Sequence, residues 1–231
     1  MTERTPSPAP ALAPALRPPA GTPAWRGPRF PEKREAILRA ARKVFGQVGY
    51  VGASIGLIAA EAAVSTRTIY HHFAHKEDLF ATVLIDSSQE VAAAHETMID
   101  RHLGAAGSTG DLEADLVALA EEWARPRPEF ADHFAIVGRI HAEGESFPAD
   151  LRESWQQAGP LRVQAALAAA LTALADRGAR RVADPAFMAE HFVSLISPAA
   201  RPRTSPLSAP ELARRAQAGV RTFLYGYAPR D

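Results

Sequence analysis

The stretch from Ser54 to Phe80, SIGLIAAEAAVSTRTIYHHFAHKEDLF, constrains this chain more than any other. Ser54 sets a side-chain oxygen directly before a helical pattern, as an N-cap does. Ile55, Ile58, Ala59 and Ala62 follow at the spacing that lines one helix face with apolar groups. Three residues later Ser65 is placed to cap a second short helix running from Thr66 to Phe73. Ile69 and Phe73 lie four apart and point inward, which leaves Thr66, Arg67, Tyr70 and His71 outward. Two short helices across a tight turn, the second with Arg, Thr, Tyr and His on its free face, form the pattern of a DNA-reading helix-turn-helix.

The run IAAEAAVSTRTIYHHFAHKEDLF resembles the signature of the TetR/AcrR family of transcriptional regulators. Ile58-Ala59, Val64-Ser65, Thr68-Ile69-Tyr70, Phe73, Lys76-Glu77 and Leu79 sit where that signature expects them. One position departs: the turn residue that is usually glycine is Ala63, where a left-handed backbone costs a residue with a Cβ roughly 1 kcal/mol. The resemblance implies that Thr66, Arg67 and His71 read base edges, Arg through the paired acceptors of guanine and Thr through a thymine methyl. It also implies that Thr68, Tyr70, His72 and Lys76 contact phosphates, which set register without reading sequence. The family's early second-helix contacts fall on Ile55 and Gly56, whose side chains offer too little chemistry for a base role. A looser similarity, from Phe130 through Gly159-Pro160-Leu161 to Phe192, is to the C-terminal regulatory region of AefR-like members.

The chain of 231 residues carries no net charge, so the total is silent on nucleic acid. Its distribution is not. From Trp25 to Phe80 there are nine Lys and Arg against five Asp and Glu, and the part after Phe80 is net negative. A positive head on a negative body suits a protein that offers one end to phosphate. The absence of cysteine excludes disulfides and thiolate chemistry and fits a reducing cytoplasm. No unbroken run of about 18 apolar residues occurs, so no membrane partner is expected.

Residues 1–28 are rich in Pro and Ala without a helical period, and read as a disordered tail. That tail is either a simple extension or a basic arm that reaches DNA through Arg17, Arg26 and Arg29. Residues 29–80 form the expected helix-turn-helix domain, opened by a helix from Pro31 to Val48 that Gly49 ends. Residues 81–231 form the expected ligand-sensing and dimerising domain. A long helix from Lys76 to about Leu103 enters it, and further helices are expected near 111–125, 128–143, 148–158, 160–177, 185–197 and 209–227, bounded by prolines. The fold class is therefore all-α: a three-helix N-terminal head on a larger helical bundle. Lys76 is odd at a helix start, where a cation meets the positive end of the dipole, and a nearby phosphate would relieve the conflict.

No Gly-rich phosphate loop, nucleophile elbow or paired-His zinc motif appears, so neither catalysis nor a cofactor is expected. His71 and His75 share a face four residues apart, but beside Arg67 and Lys76 a metal site is electrostatically poor. Trp123, Phe130, His133, Phe134, His141, Trp155, Phe187 and His191 are spread over several helices opposite small alanine walls. They either interlock as core or line a cavity for a mostly apolar small-molecule effector, aromatic ones included, rather than a phosphate or sugar. The helix at 160–177 carries Val163, Leu167, Leu171 and Leu174 on one stripe and Ala165, Ala168, Ala169 and Thr172 on another. The second stripe is either core or, as the family resemblance suggests, part of a two-fold interface with the helix near 185–197. Dimerisation also suits operator binding, because a single reading helix covers only a half-site. The expected partners are thus a palindromic double-stranded DNA operator, a second copy of the chain and an unknown effector that releases the DNA.

Overall fold

A computed structural model describes residues 30–105, 109–143, 148–176, 184–197 and 207–226. The expected tail at 1–28, with Arg17, Arg26 and Arg29, lies outside the described residues. All regular structure among the described residues is helical: α1 (Phe30–Gly52), α2 (Ile55–Glu61), α3 (Thr66–His72), α4 (Lys76–Leu103), α5 (Leu112–Ala124), α6 (Ala131–Glu143), α7 (Ala149–Ala158), α8 (Pro160–Asp176), α9 (Pro185–Ile196) and α10 (Ala209–Tyr225). The all-α expectation holds, and most boundaries fall within two residues of the sequence reading.

The larger differences have local causes. Gly49 does interrupt α1, taking φ 75° and ψ 174°, but one more turn follows it to Gly52. A side chain would be strained at that φ, and glycine removes the strain. The helix expected from residue 128 begins instead with a single 3-10 turn, Pro128–Phe130, closed by the Phe130 N–H donating to the Arg127 carbonyl at 3.0 Å. Only after it does α6 start.

α2 and α3 have seven residues each, well below the roughly 12–15 at which an isolated helix holds in water. Tertiary burial and capping must therefore form them. The Ser54 hydroxyl accepts from the Leu57 N–H at 3.2 Å and that of Ser65 from the Thr68 N–H at 3.1 Å, each cap contributing about 1 kcal/mol. Ile58 and Ile69 are completely buried, and each such side chain stabilises the fold by roughly 1.5–3 kcal/mol. Ala63 sits in the turn between them at φ 52°, the left-handed value expected of that position.

Two buried clusters fill the interior. The first joins Ile37, Phe45, Ile58, Ile69, Leu79 and Phe80 of the head, and it continues into Ile136 and Ile140 of α6 and Trp155 of α7. The second joins Met98, Leu116, Leu119, Leu167, Phe192 and Val220 from α4, α5, α8, α9 and α10. α4 contributes to both, through Leu79–Leu84 at one end and Ala92–Leu103 at the other. It is the spine on which the two halves are built.

Polar ties reinforce the contact between α1 and the larger half. Arg42 on α1 forms a bidentate pair with Glu90 on α4, at 2.6 and 2.9 Å. Arg139 on α6 donates to the Gly46 and Gln47 carbonyls near the end of α1, at 3.4 and 2.7 Å. α1 and α6 cross so closely that a Cβ on Gly46 would stand 3.2 Å from the Asp132 carbonyl oxygen. By length and composition the continuous helical stretch Ala149–Asp176 could cross a membrane. Its apolar stripe, Val163, Leu167, Leu171 and Leu174, is buried in the second cluster.

Candidate nucleic-acid interface and effector region

α3 presents the arrangement that the sequence implied. Ile69 is fully buried and Phe73 is 6% exposed, whereas Thr66, Arg67 and His71 are exposed and Tyr70 is 56% exposed. Of the expected base readers, all three lie on this free face. Among the expected phosphate contacts, Tyr70 is on the surface, while Thr68 and His72 are half-buried at its edges. The Thr68 hydroxyl bonds the Ser65 hydroxyl at 2.8 Å, so one of its hydrogen-bonding sites is already engaged by the cap. The His72 imidazole is held below the ordinary histidine value by burial first, then by His71, Arg34 and Lys33. Among the described residues no group of three potential metal ligands comes together, at His71 and His75 or elsewhere.

Lys76 answers its electrostatic conflict inside the protein. Its ammonium donates to the Tyr50 and Ala53 carbonyls at 3.0 and 3.1 Å and lies 4.3 Å from the Tyr50 ring centroid. The cation at the positive start of α4 thus meets the negative end of α1. The Tyr50 hydroxyl donates to Glu77 at 2.5 Å, and burial followed by this bond pushes its pKa to about 12. Lys76, Tyr50 and Glu77 form one joint between the end of α1 and the start of α4. Sequence spacing could not reveal it, because Tyr50 stands 26 and 27 residues from Lys76 and Glu77.

The eight effector candidates do not all converge. Trp123 packs against His95 with centroids 4.2 Å apart and ring planes tilted by 59°, and Phe130 lies in the following 3-10 turn under Arg127. His133 is buried, bonds the Ser87 hydroxyl at 2.9 Å and carries Phe134 on its flank, although Phe134 is itself half-exposed. Trp155 is buried beside the exposed ring of His141. Phe187 and His191 depart from the expectation: both project from the exposed face of α9, Phe187 with 60% of its surface in solvent. The reason is register. Ala189, Phe192 and Ile196 take the inner stripe of α9 and turn residues 187 and 191 outward.

Two polar groups that sequence reasoning missed, Ser87 and His95, join this region from α4. The spacing Leu84, Ser88, Val91, His95 puts His95 on an inner stripe, which was the available signal. The His95 Nδ1–H donates to the Val91 carbonyl at 2.8 Å, which leaves its Nε2 as an acceptor. The Ser87 hydroxyl donates to the Leu84 carbonyl at 3.1 Å, so His133 supplies the proton between His133 and Ser87 and its Nε2 is likewise an acceptor. Burial is the main cause that lowers both pKa values, His133 to about 4, so both rings are neutral at pH 7. The Trp155 indole N–H is buried without a partner among the described residues. Elsewhere, a half-open cleft of about 280 Å³ lies between the ends of α5, α9 and α10, lined by Leu195, Ile196, Leu212 and Gly219 among others. It includes none of the expected residues and falls just short of the usual range for ligand pockets, roughly 300–1,000 Å³.

Two family profiles match this chain. Residues 37–83 match the bacterial regulatory proteins of the tetR family, and residues 129–229 match the C-terminal domain of AefR-like transcriptional repressors. The chain belongs to the TetR family. Among solved structures, a Mesorhizobium loti protein assigned to the TetR family is 28% identical, with a TM-score of 0.72 over 85% of this chain and 96% of that one. The flavonoid-responsive regulator FrrA is 26% identical, with a TM-score of 0.54 over 87% of this chain and all of that one. Among curated relatives, the HTH-type transcriptional regulator UidR of Escherichia coli K12 is 37% identical over 60 residues, which are 26% of this chain and 31% of UidR. The match thus spans about a third of that relative.

Proposed function

We propose that this TetR-family chain is a DNA-binding transcriptional regulator, most simply a repressor, that binds a palindromic operator as a dimer and is released by a small ligand. The observation that carries the reading is the free face of α3: Thr66, Arg67, Tyr70 and His71 stand outward on a helix fixed from behind by Ile69 and Phe73. Thr66, Arg67 and His71 read bases in this proposal, while Thr68, Tyr70, His72 and Lys76 position the backbone. Lys76 uses two of its three donors on Tyr50 and Ala53, leaving one for a phosphate. The division of labour follows the expected one, with residues 29–80 reading DNA and residues 81–231 sensing and dimerising. Action on operator DNA places the protein in the cytoplasm.

The dimer interface is the outer face of α8 and α9. Leu161, Ala165 and Ala169 on α8 and Phe187 and Leu195 on α9 are exposed, and large apolar groups so exposed mark an interaction surface. Phe187 and His191 thereby move from effector site to interface. The effector region is the junction of α4, α5, α6 and α7 around His95, Trp123, Phe130, His133 and Trp155. Two neutral imidazole acceptors and one indole donor among aromatic rings suit an uncharged aromatic compound that carries both a donor and an acceptor. The flavonoid response of FrrA is consistent with that chemistry.

Selection of duplexes from a random DNA pool by the full chain, followed by anisotropy at physiological salt, tests the reading. A palindromic consensus bound by a dimer is expected. Binding that ignores sequence would remove operator recognition and leave only a helical ligand-binding protein.

A further inference from the structure

We propose that the DNA interface continues past the reading helix onto the first turn of α1, where Lys33 and Arg34 join His72 in holding one backbone phosphate. The proposal rests on the DNA-binding reading of α3 and adds a second element to it. The Arg34 guanidinium carbon lies 5.6 Å from the ring centroid of Phe73, the residue that caps the end of α3. The His72 ring adjoins Phe73 at 6.4 Å and His71 at 5.6 Å. Basic groups from the start of α1 and the end of α3 are therefore gathered at one edge of the reading surface.

Four of the nearby acids are engaged elsewhere. Glu35 faces Arg39 at 3.8 Å, Glu61 on α2 is held by Lys43 at 2.6 Å, and Glu77 is bound by Tyr50. Asp78 accepts from the His75 N–H at the start of α4. Glu32 is the single acid in the first turn of α1. By contrast, Arg42 and Arg162 form bidentate pairs with Glu90 and Glu96, while Lys33 and Arg34 have no carboxylate partner among the described residues. Like charges brought together in this way repel, and an anion between them removes the repulsion.

Such an anion has a second consequence. Burial first, and then His71, Arg34 and Lys33, disfavour a proton on His72, so the ring is neutral in the free protein at pH 7. A phosphate against the imidazole favours the charged form, and binding then takes up a proton. By linkage, affinity rises as pH falls. The effect is independent of sequence, because phosphates carry no base information.

The test measures the full-length chain by fluorescence anisotropy on two duplexes, one selected from the random pool and one of arbitrary sequence. Between about 50 and 200 mM salt, Lys33→Ala/Arg34→Ala should lower the salt slope on both duplexes by about 0.9, the value for one phosphate. The preference among selected sequences should not change. From pH 8 to pH 6 wild-type affinity should rise roughly three- to tenfold more than that of His72→Asn. A double variant with a wild-type salt slope overturns the proposal. If its melting temperature also falls, the two cations serve only to meet the carbonyl end of α3. If the double variant does not fold, His72→Asn decides, and a pH profile superimposable on wild type overturns the proposal. Failure of the wild type to bind either duplex at any pH would remove the DNA-binding reading itself, a separate result.

Discussion

Ala63 holds φ 52° without the glycine that makes such a turn inexpensive. Ala63→Gly should therefore raise the stability of the head, by a few tenths to about 1 kcal/mol in urea titration. A destabilised variant would show that unfolded-state entropy outweighs the relief of strain. Arg67 is exposed on the free face of α3 and supplies a planar pair of donors. Arg67→Ala should cost about 1–3 kcal/mol at one base step per half-site and relax preference there. Unchanged preference in a repeat selection would withdraw Arg67 as a reader. The inward residues of α3 were legible because a period of 3.6 fixes which side chains face the core. The ties of Lys76 to the Tyr50 and Ala53 carbonyls were not, since they join backbone atoms that no side-chain pattern encodes.

At the scale of elements, prolines and glycines marked nearly every helix end, because each removes a donor or relieves a backbone constraint where a helix must stop. What they could not fix was which face of α9 turns inward. Phe187 and Phe192 are both large and apolar, and only the packing of α8 and α10 assigns Phe192 to the core and leaves Phe187 60% exposed. α8 shows the opposite case. Leu167 and Leu171 are buried, and Ala165, Ala169 and Thr172 lie on the open side, as the two stripes allowed. Ala169→Arg should dissociate the proposed dimer in sedimentation while circular dichroism keeps its helical signal. A dimer that persists would move the interface to another face.

For the whole molecule, the buried histidines couple stability to acid. His133 has an ordinary pKa when unfolded and one of about 4 when folded. Above about pH 6.5 the ring is neutral in both states and costs nothing. Between about pH 6.5 and 4 the unfolded chain takes up the proton first, so stability falls as pH falls, by about 3 kcal/mol at the lower end. The His133→Gln variant should show a shallower loss over that window in denaturant titrations. A slope equal to wild type would show that the buried ring does not govern it. An effector bound at the same junction should protect the fold, by about 2.7 kcal/mol at 100 times its dissociation constant. A thermal-shift screen in which only anionic or carbohydrate compounds stabilise the protein would reject an uncharged aromatic effector.

α4 belongs to both cores, and this gives the molecule a lever. Its 28 residues form an arm about 42 Å long. A swing of 5° about the end near Leu103 carries Lys76 through an arc of about 4 Å. In a two-fold dimer the two heads would make the same swing related by a half-turn, and their spacing would change by up to twice that amount. Successive major grooves on one face of DNA stand about 34 Å apart. In such a dimer a swing of a few degrees at the fulcrum would displace the reading helices by a sizeable fraction of that spacing.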